Sequence, residues 1–254
     1  MIQAYPRNTY KPFRKILKTV GTTCATYKLI EPGDRIMVAV SGGKDSLCML
    51  SILIALQKKA PFEFEIFAFT LDQGQPDFAS QKLKDHFASY EIENYVELHD
   101  TFSIVQEKLE ENQTQCFLCS RMRRGILYSR ARELGANKIA LGHHSDDAFQ
   151  TLLLNLFYSG RNAAIPPLLL NDQGDVTVIR PLIELDETLL IDMAEHMQMP
   201  ILPCNVCGSQ DNLQRQRMKR LLKDEELINP SVRSSMKKAL KTIQPRHLWD
   251  QDYE

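Results

Sequence analysis

Short apolar runs alternate along this chain with longer stretches of helical period. Residues 35–40 (RIMVAV) are rich in β-branched and apolar side chains and stop at Gly42-Gly43, which predicts a buried strand feeding a turn. The same reasoning predicts strands over 62–71, 95–98, 138–141 and 176–179. Helices are expected over 46–58, 78–90, 121–134, 146–158, 186–197, 213–223 and 231–243, with Gly135 and Gly160 as C-terminal stops. Strands alternating with helices imply an α/β fold, a parallel sheet with helices on both faces, whose ligands bind beyond the carboxyl ends of the strands. Three segments are expected: a basic helical extension over 1–30, a main domain over 31–225 and a helical tail over 226–254.

The longest apolar run, 47–56, carries Ser51 and is too short to span a bilayer, and the N-terminus MIQAYPRNTYKPFRK has no apolar signal segment. A protein of the cytoplasm with no membrane partner is the expectation. Hydrophobic residues make up 43% of 254, enough for a large α/β core.

Charge changes the picture through its distribution. The formal net charge is only -1, yet residues 1–30 hold six Lys or Arg and no acid, and 120–132 and 214–223 hold five each and no acid. Segregation of this kind presents a basic surface to an anionic partner such as RNA despite a neutral total. Each segment taken alone is equally the solvated face of a helix.

Candidate chemistry sits at two strand ends. Ser41-Gly42-Gly43-Lys44-Asp45-Ser46 follows a strand and opens a helix. The glycines let backbone N–H groups approach an anion, and the helix N-terminus adds its positive dipole. Lys44 is suited to phosphate charge, Ser41 and Ser46 to hydrogen bonds, and Asp45 to Mg²⁺. The loop lacks the Walker spacing, so γ-phosphate chemistry is not indicated. Leu141-Gly142-His143-His144-Ser145-Asp146-Asp147 follows another strand. There His143 or His144 is placed to meet phosphate or substrate, and Asp147 to hold Mg²⁺; either acid also serves as a helix cap. Asp72, ending the strand at 62–71, is a third candidate, for adenosine, metal or the target base, or simply for a turn.

Six cysteines remain. Cys24 and Cys48 stand among apolar neighbours and read as packing residues, while Cys116/Cys119 and Cys204/Cys207 form two C-x-x-C pairs. Four-thiolate zinc, an iron–sulfur cluster and a redox dithiol all suit such pairs, and spacing alone does not choose.

The hexapeptide at 41–46 resembles the PP-loop of the ATP pyrophosphatase superfamily. Together with LDQGQP, CFLCSRMRRGILY, IALGHHSDD, PCNVCGSQDNLQRQ and VIRPL, it closely resembles the tRNA 2-thiocytidine synthetases of the TtcA type, in order from about Arg14 to Trp249. The resemblance implies cleavage of ATP to AMP and pyrophosphate, adenylation of cytidine 32 in the tRNA anticodon loop, and replacement of its oxygen by sulfur. It implies a 4Fe-4S cluster on Cys116, Cys119 and Cys207, with Cys204 as the other member of its pair. It further implies sulfur from a cysteine desulfurase or another sulfide donor, and it allows a homodimer. Lys44, Asp45, Asp72 and Asp147 take the catalytic positions, and Gly142 and His143 join the loop in holding the nucleotide. Ser145 stands where the resemblance implies an arginine. The alternatives are a PP-loop thiolase or ligase for another tRNA base or a small molecule, and a zinc-stabilised RNA-binding module without catalysis.

Overall fold

The structure, a computed structural model, describes residues 5–6, 9–75, 78–107, 115–202, 210–242, 244 and 247, of which 106, 115–118 and 210–212 are described by backbone alone. The elements run α1 (Phe13–Thr26), β1 (Arg35–Ala39), α2 (Lys44–Gln57), β2 (Glu65–Asp72), α3 (Ser80–Ala88), β3 (Asn94–Leu98), α4 (Thr101–Glu107), α5 (Gln115–Glu133), β4 (Lys138–Ala140) and α6 (Ser145–Leu154). They continue with a π-helical turn (Asn155–Ser159), β5 (Leu168–Leu170), β6 (Thr177–Ile179), α7 (Glu187–His196), α8 (Gln210–Ile228) and α9 (Val232–Lys241). Among the described residues no helix is long and apolar enough to cross a membrane.

Among the described residues six strands form one sheet, in the order β3-β2-β1-β4-β6-β5. All neighbours are parallel except β5, which pairs antiparallel with β6. From β1 the chain steps one way to β2 and β3 and the other way to β4 and β6. The strand order therefore reverses between β1 and β4, the point at which open α/β sheets bind ligands.

Alternation along the strands sorts side chains to the two faces. Ile36, Val38, Ala68, Ala140 and Ile179 join a core built with α1, α2, α3 and α7, including Ile16, Val20, Leu83, Phe87, Leu190 and Met193. Met37, Phe67, Phe69 and Ile139 face the other way, onto Leu127 and Ala131 of α5. Helix α2 is apolar nearly all round, and every residue from Ser46 to Ala55 is buried; a helix of that composition belongs in the interior. At the edge away from the strand ends, buried Lys138 is paired with Asp34 at 2.7 Å and Glu31 at 3.1 Å.

Three details depart from the pattern-based expectations. Edge strand β5 is three leucines, all exposed, and its antiparallel pairing follows from a short return of the chain rather than a helical crossover. Helix α4 is too short to leave a periodic signature. Helix α5 begins at Gln115, six residues before the predicted start, so the first cysteine pair lies on a helix.

Contacts divide the chain into two compact units, Met1–Ser145 with Pro166–Asn212, and Asp146–Ile165 with Leu213–Glu254. The first holds the sheet. Within the second, Arg233 of α9 donates to Asp146 at 2.7 Å and to Glu226 at 2.9 Å, and Met218 and Leu222 of α8 are buried.

Candidate active site

Strand β1 delivers the chain to Ser41, and the turn is held by its own side chains. Ser41 N–H donates to Ser46 Oγ at 3.2 Å, and Ser46 Oγ donates to Gly43 O at 2.8 Å. Gly42 has φ +83, and a Cβ there would lie 3.0 Å from Leu202. Leu202 N–H donates to Gly42 O at 2.9 Å, so the loop is closed from outside by the residue that precedes Pro203. Glycine is required on both counts, backbone sign and space.

Lys44 opens α2 with its ammonium on Asp45 Oδ1 at 3.0 Å, Asp45 Oδ2 at 3.1 Å and Glu187 Oε1 at 3.0 Å. Burial by itself lowers the pKa of Lys44, but the charge of Asp45 and the hydrogen bonds to Asp45 and Glu187 outweigh it and raise the pKa. Lys44 is thus a fixed cation at a helix N-terminus, oriented by two carboxylates, the requirement for neutralising phosphate charge.

The segment after β4 meets this turn directly. A Cβ on Gly142 would lie 3.1 Å from the Asp45 carbonyl carbon and from Ser46 N. His144 is buried, with Nε2 3.8 Å from Asp45 Oδ1, and His143 is half-buried beside it. Ser145 turns inward: its N–H donates to Leu185 O at 2.9 Å and its Oγ to Asp186 Oδ1 at 3.0 Å. Asp146 is buried and engaged by Arg233, whereas Asp147, the third residue of α6, is half-buried.

A third strand end contributes sulfur. Asp72 ends β2 and accepts the Gly74 N–H at 3.0 Å, the turn-forming use of an aspartate. Its neighbour Gln73 accepts from Cys119 Sγ at 3.1 Å and from Thr101 Oγ1 at 3.3 Å. Cys119 is partly exposed, while Cys24 and Cys48 are buried and their thiols are pushed up to about 12 by desolvation. The thiols of α1 and α2 are therefore packing groups, and that of α5 sits where a ligand can reach it. Positions 116 and 119 are one turn apart on α5, a spacing that puts both on one helical face. The Cys116 side chain, and Cys204 and Cys207 altogether, lie outside the described residues.

The structure thus brings Ser41, Gly42, Gly43, Lys44, Asp45, Ser46, Gly142 and His144 together at the ends of β1 and β4, with Asp72 and Cys119 at the end of the adjacent β2. Two contributors carried no signal in the sequence, Glu187 on Lys44 and Asp186 on Ser145; each is an ordinary polar residue there and becomes distinctive only through its partner. Gln73 lies inside the LDQGQP motif, but its contact with Cys119 was not legible from it.

A PP-loop domain family matches residues 12–224. The tRNA-cytidine(32) 2-sulfurtransferase of Vibrio vulnificus (strain CMCP6) is 48% identical over 98% of this chain and 80% of its own length. The protein of that name from Bordetella avium (strain 197N) is 49% identical over 94% of this chain and 76% of its own. Among solved structures, the U34-tRNA thiolase NcsA from Methanococcus maripaludis, with its 4Fe-4S cluster, superposes with a TM-score of 0.70 at 21% identity, covering 91% of this chain and 80% of that one, a likeness of fold.

Proposed function

The chain belongs to the tRNA-cytidine(32) 2-sulfurtransferase family of PP-loop proteins, and from that membership we infer that it thiolates cytidine 32 of tRNA at the expense of ATP. One observation supports this reading most strongly. The loop carrying Lys44 and the thiol of Cys119 stand at the ends of adjacent strands, β1 and β2, on one edge of the sheet. In this reading nucleotide chemistry and sulfur chemistry share a site.

In this reading Lys44 and the N-terminus of α2 hold the phosphates of ATP. The cytidine carbonyl oxygen attacks the α-phosphorus, pyrophosphate leaves, and the oxygen becomes part of a good leaving group, AMP. Sulfide then adds to the activated carbon and AMP departs. Ser41 and Ser46 hold the loop shape, and the two carboxylates on Lys44 keep its ammonium in place. Asp45, beside that ammonium, is the proposed carboxylate for Mg²⁺, and Asp147 a second on the strength of the resemblance. Asp72 is proposed for adenosine, metal or the target base, besides the turn it forms with Gly74, and His143 for the nucleotide.

The donors present fit a cluster: Cys119 offers a partly exposed soft ligand, and position 116 shares its helical face. Cys116, Cys119 and Cys207, with Cys204 as the alternative third ligand, are the proposed ligands of a 4Fe-4S group. Bound there, it would supply an open iron to carry sulfide. Leu202, bonded to the phosphate loop, precedes the Cys204/Cys207 pair by two residues in sequence. A cysteine desulfurase or another donor would supply the sulfide. Assembly as a homodimer and a cytoplasmic location belong to the same proposal.

The test is thiolation of purified tRNA with ATP, Mg²⁺ and sulfide under anaerobic conditions, read by mass analysis of nucleosides. 2-Thiocytidine, AMP and pyrophosphate are expected. ADP with inorganic phosphate, or thiolation of a free metabolite while every tRNA cytidine stays unchanged, would reject the reading. Anaerobic protein should be brown and contain iron, and Cys119→Ser should lose the colour. Stoichiometric zinc without iron would reject the cluster alone.

A further inference from the structure

Arg180 is the first residue beyond β6, and at 8% exposure it is buried. Lys138, the other buried basic side chain at a strand of this sheet, has Asp34 and Glu31 on it. Arg180 has no carboxylate at ion-pair distance among the described residues. Its Nη1 donates to Pro166 O at 2.7 Å, and its Nε is buried without a hydrogen-bond partner among the described residues. Burial accordingly lowers the pKa of this guanidinium below the usual arginine range.

Register shows where the group stands. Ile179 pairs with Ala140 in β4 and with Leu168 in β5. Pro166 precedes Leu168 by two residues in a strand that runs antiparallel, so it lies past the end of β6. A guanidinium bonded to Pro166 O therefore sits at the carboxyl edge of the sheet, the edge that carries loop 41–46 and residues 141–144. Leu141 N–H donates to Ile179 O at 2.9 Å, which ties Arg180 to the start of the Gly142-His143-His144 segment. Strands β1, β4 and β6 are successive neighbours, so about 10 Å, two strand spacings, separates the strand of Arg180 from the one that feeds Lys44.

A desolvated cation held by one carbonyl is costly unless an anion meets it. With Nη1 on Pro166, the edge of the fork formed by Nε and Nη2 is left, and that edge matches two oxygens of a phosphate. We propose that Arg180 is a phosphate-binding residue of the active site, gripping through its Nε–Nη2 edge a phosphate brought in by the reactants. The proposal rests on the reading of the protein as an ATP-using tRNA thiolase, which supplies two sources of that group: the ATP phosphates, including pyrophosphate, and the RNA backbone.

The experiment uses the full chain and the variants Arg180→Met and Arg180→Lys. ATP and inorganic pyrophosphate are titrated by calorimetry, tRNA by filter binding at fixed salt, and thermal midpoints are recorded. Loss of about 10-fold or more in affinity for ATP and pyrophosphate, at an unchanged midpoint, assigns the nucleotide phosphates; the same loss for tRNA alone assigns the RNA backbone. Affinities within twofold of wild type in both arms overturn the proposal and leave Arg180 as a tie between β6 and Pro166. If the methionine variant does not purify, the lysine variant decides by the same thresholds, because it keeps the charge and loses the forked edge. Wild-type thiolation is run alongside. Wild-type protein that binds ATP yet thiolates no tRNA rejects the functional reading, while the pyrophosphate arm still judges Arg180.

Discussion

Lys44 meets two carboxylates before any phosphate arrives, Asp45 at 3.0 Å and Glu187 at 3.0 Å. Lys44→Ala removes a preorganised charge and should lower turnover by roughly 10²-fold or more, measured as pyrophosphate release with tRNA present. Protein folding should persist, since the side chain is not part of the apolar core. Cysteines at the same scale divide by environment. Cys24 and Cys48, at about 12, are neutral thiols in the folded protein. Raised above the unfolded value of 9.0, they contribute stability that is fully present below about pH 9 and is lost as pH rises toward 12. Iodoacetamide at pH 8 should therefore label Cys119 in metal-free protein and spare these two until denaturant is added, as peptide mass mapping will report. Rapid labelling of Cys48 in native protein would contradict the burial that its Sγ bond to Leu190 O at 3.4 Å describes.

At the scale of elements, the site depends on how closely the turn after β4 approaches the first turn of α2. Gly142 allows that approach. Gly142→Ala would place a methyl 3.1 Å from the backbone of Asp45 and Ser46, neither of which can swing aside as a side chain does. About 1–3 kcal/mol of destabilisation is expected, together with loss of ATP affinity as the loop shifts. Thermal melts with and without ATP check both parts. Gly125→Ala, in α5 with open space around it, is the control and should be neutral or slightly stabilising. A Gly142→Ala protein with wild-type ATP affinity would show that the two segments move independently.

Across the whole molecule, the net charge of -1 hides three basic segments, and in one of them, on α5, the arginines divide into two groups. In α5, Arg130 is spent on Glu97 and Glu133, and Arg132 on Asp175. Arg121, Arg123 and Arg124 are exposed on the half of the helix that holds Cys119, with no ion pair among the described residues. Within α5, the charge left for a partner therefore lies on the half that carries Cys119. RNA binding should weaken steeply with salt through counterion release, and Arg123→Glu with Arg124→Glu should reduce tRNA affinity while leaving ATP affinity within about twofold. Filter binding across a salt series tests this, and unchanged tRNA affinity would move the RNA contact elsewhere.

What the sequence determined by itself is what local pattern encodes. Apolar runs marked β1, β2, β3, β4 and β6, Gly-Gly before Lys44 marked the turn that opens α2, and the ordered motifs identified the family. These signals are short-range, because strand burial, a positive φ and a helix N-terminus each need only a few neighbouring residues. Tertiary structure alone decided which groups meet: Gln73 with Cys119 across 46 positions, Asp146 with Arg233 across 87, and Lys44 with Glu187 across 143. It also turned Ser145 inward onto Asp186, gave β5 its antiparallel pairing, and left Arg180 buried with only a carbonyl. Within the sheet, partners are set by the strand order β3-β2-β1-β4-β6-β5, which places residues distant in sequence at adjoining strand ends and leaves no trace in local periodicity.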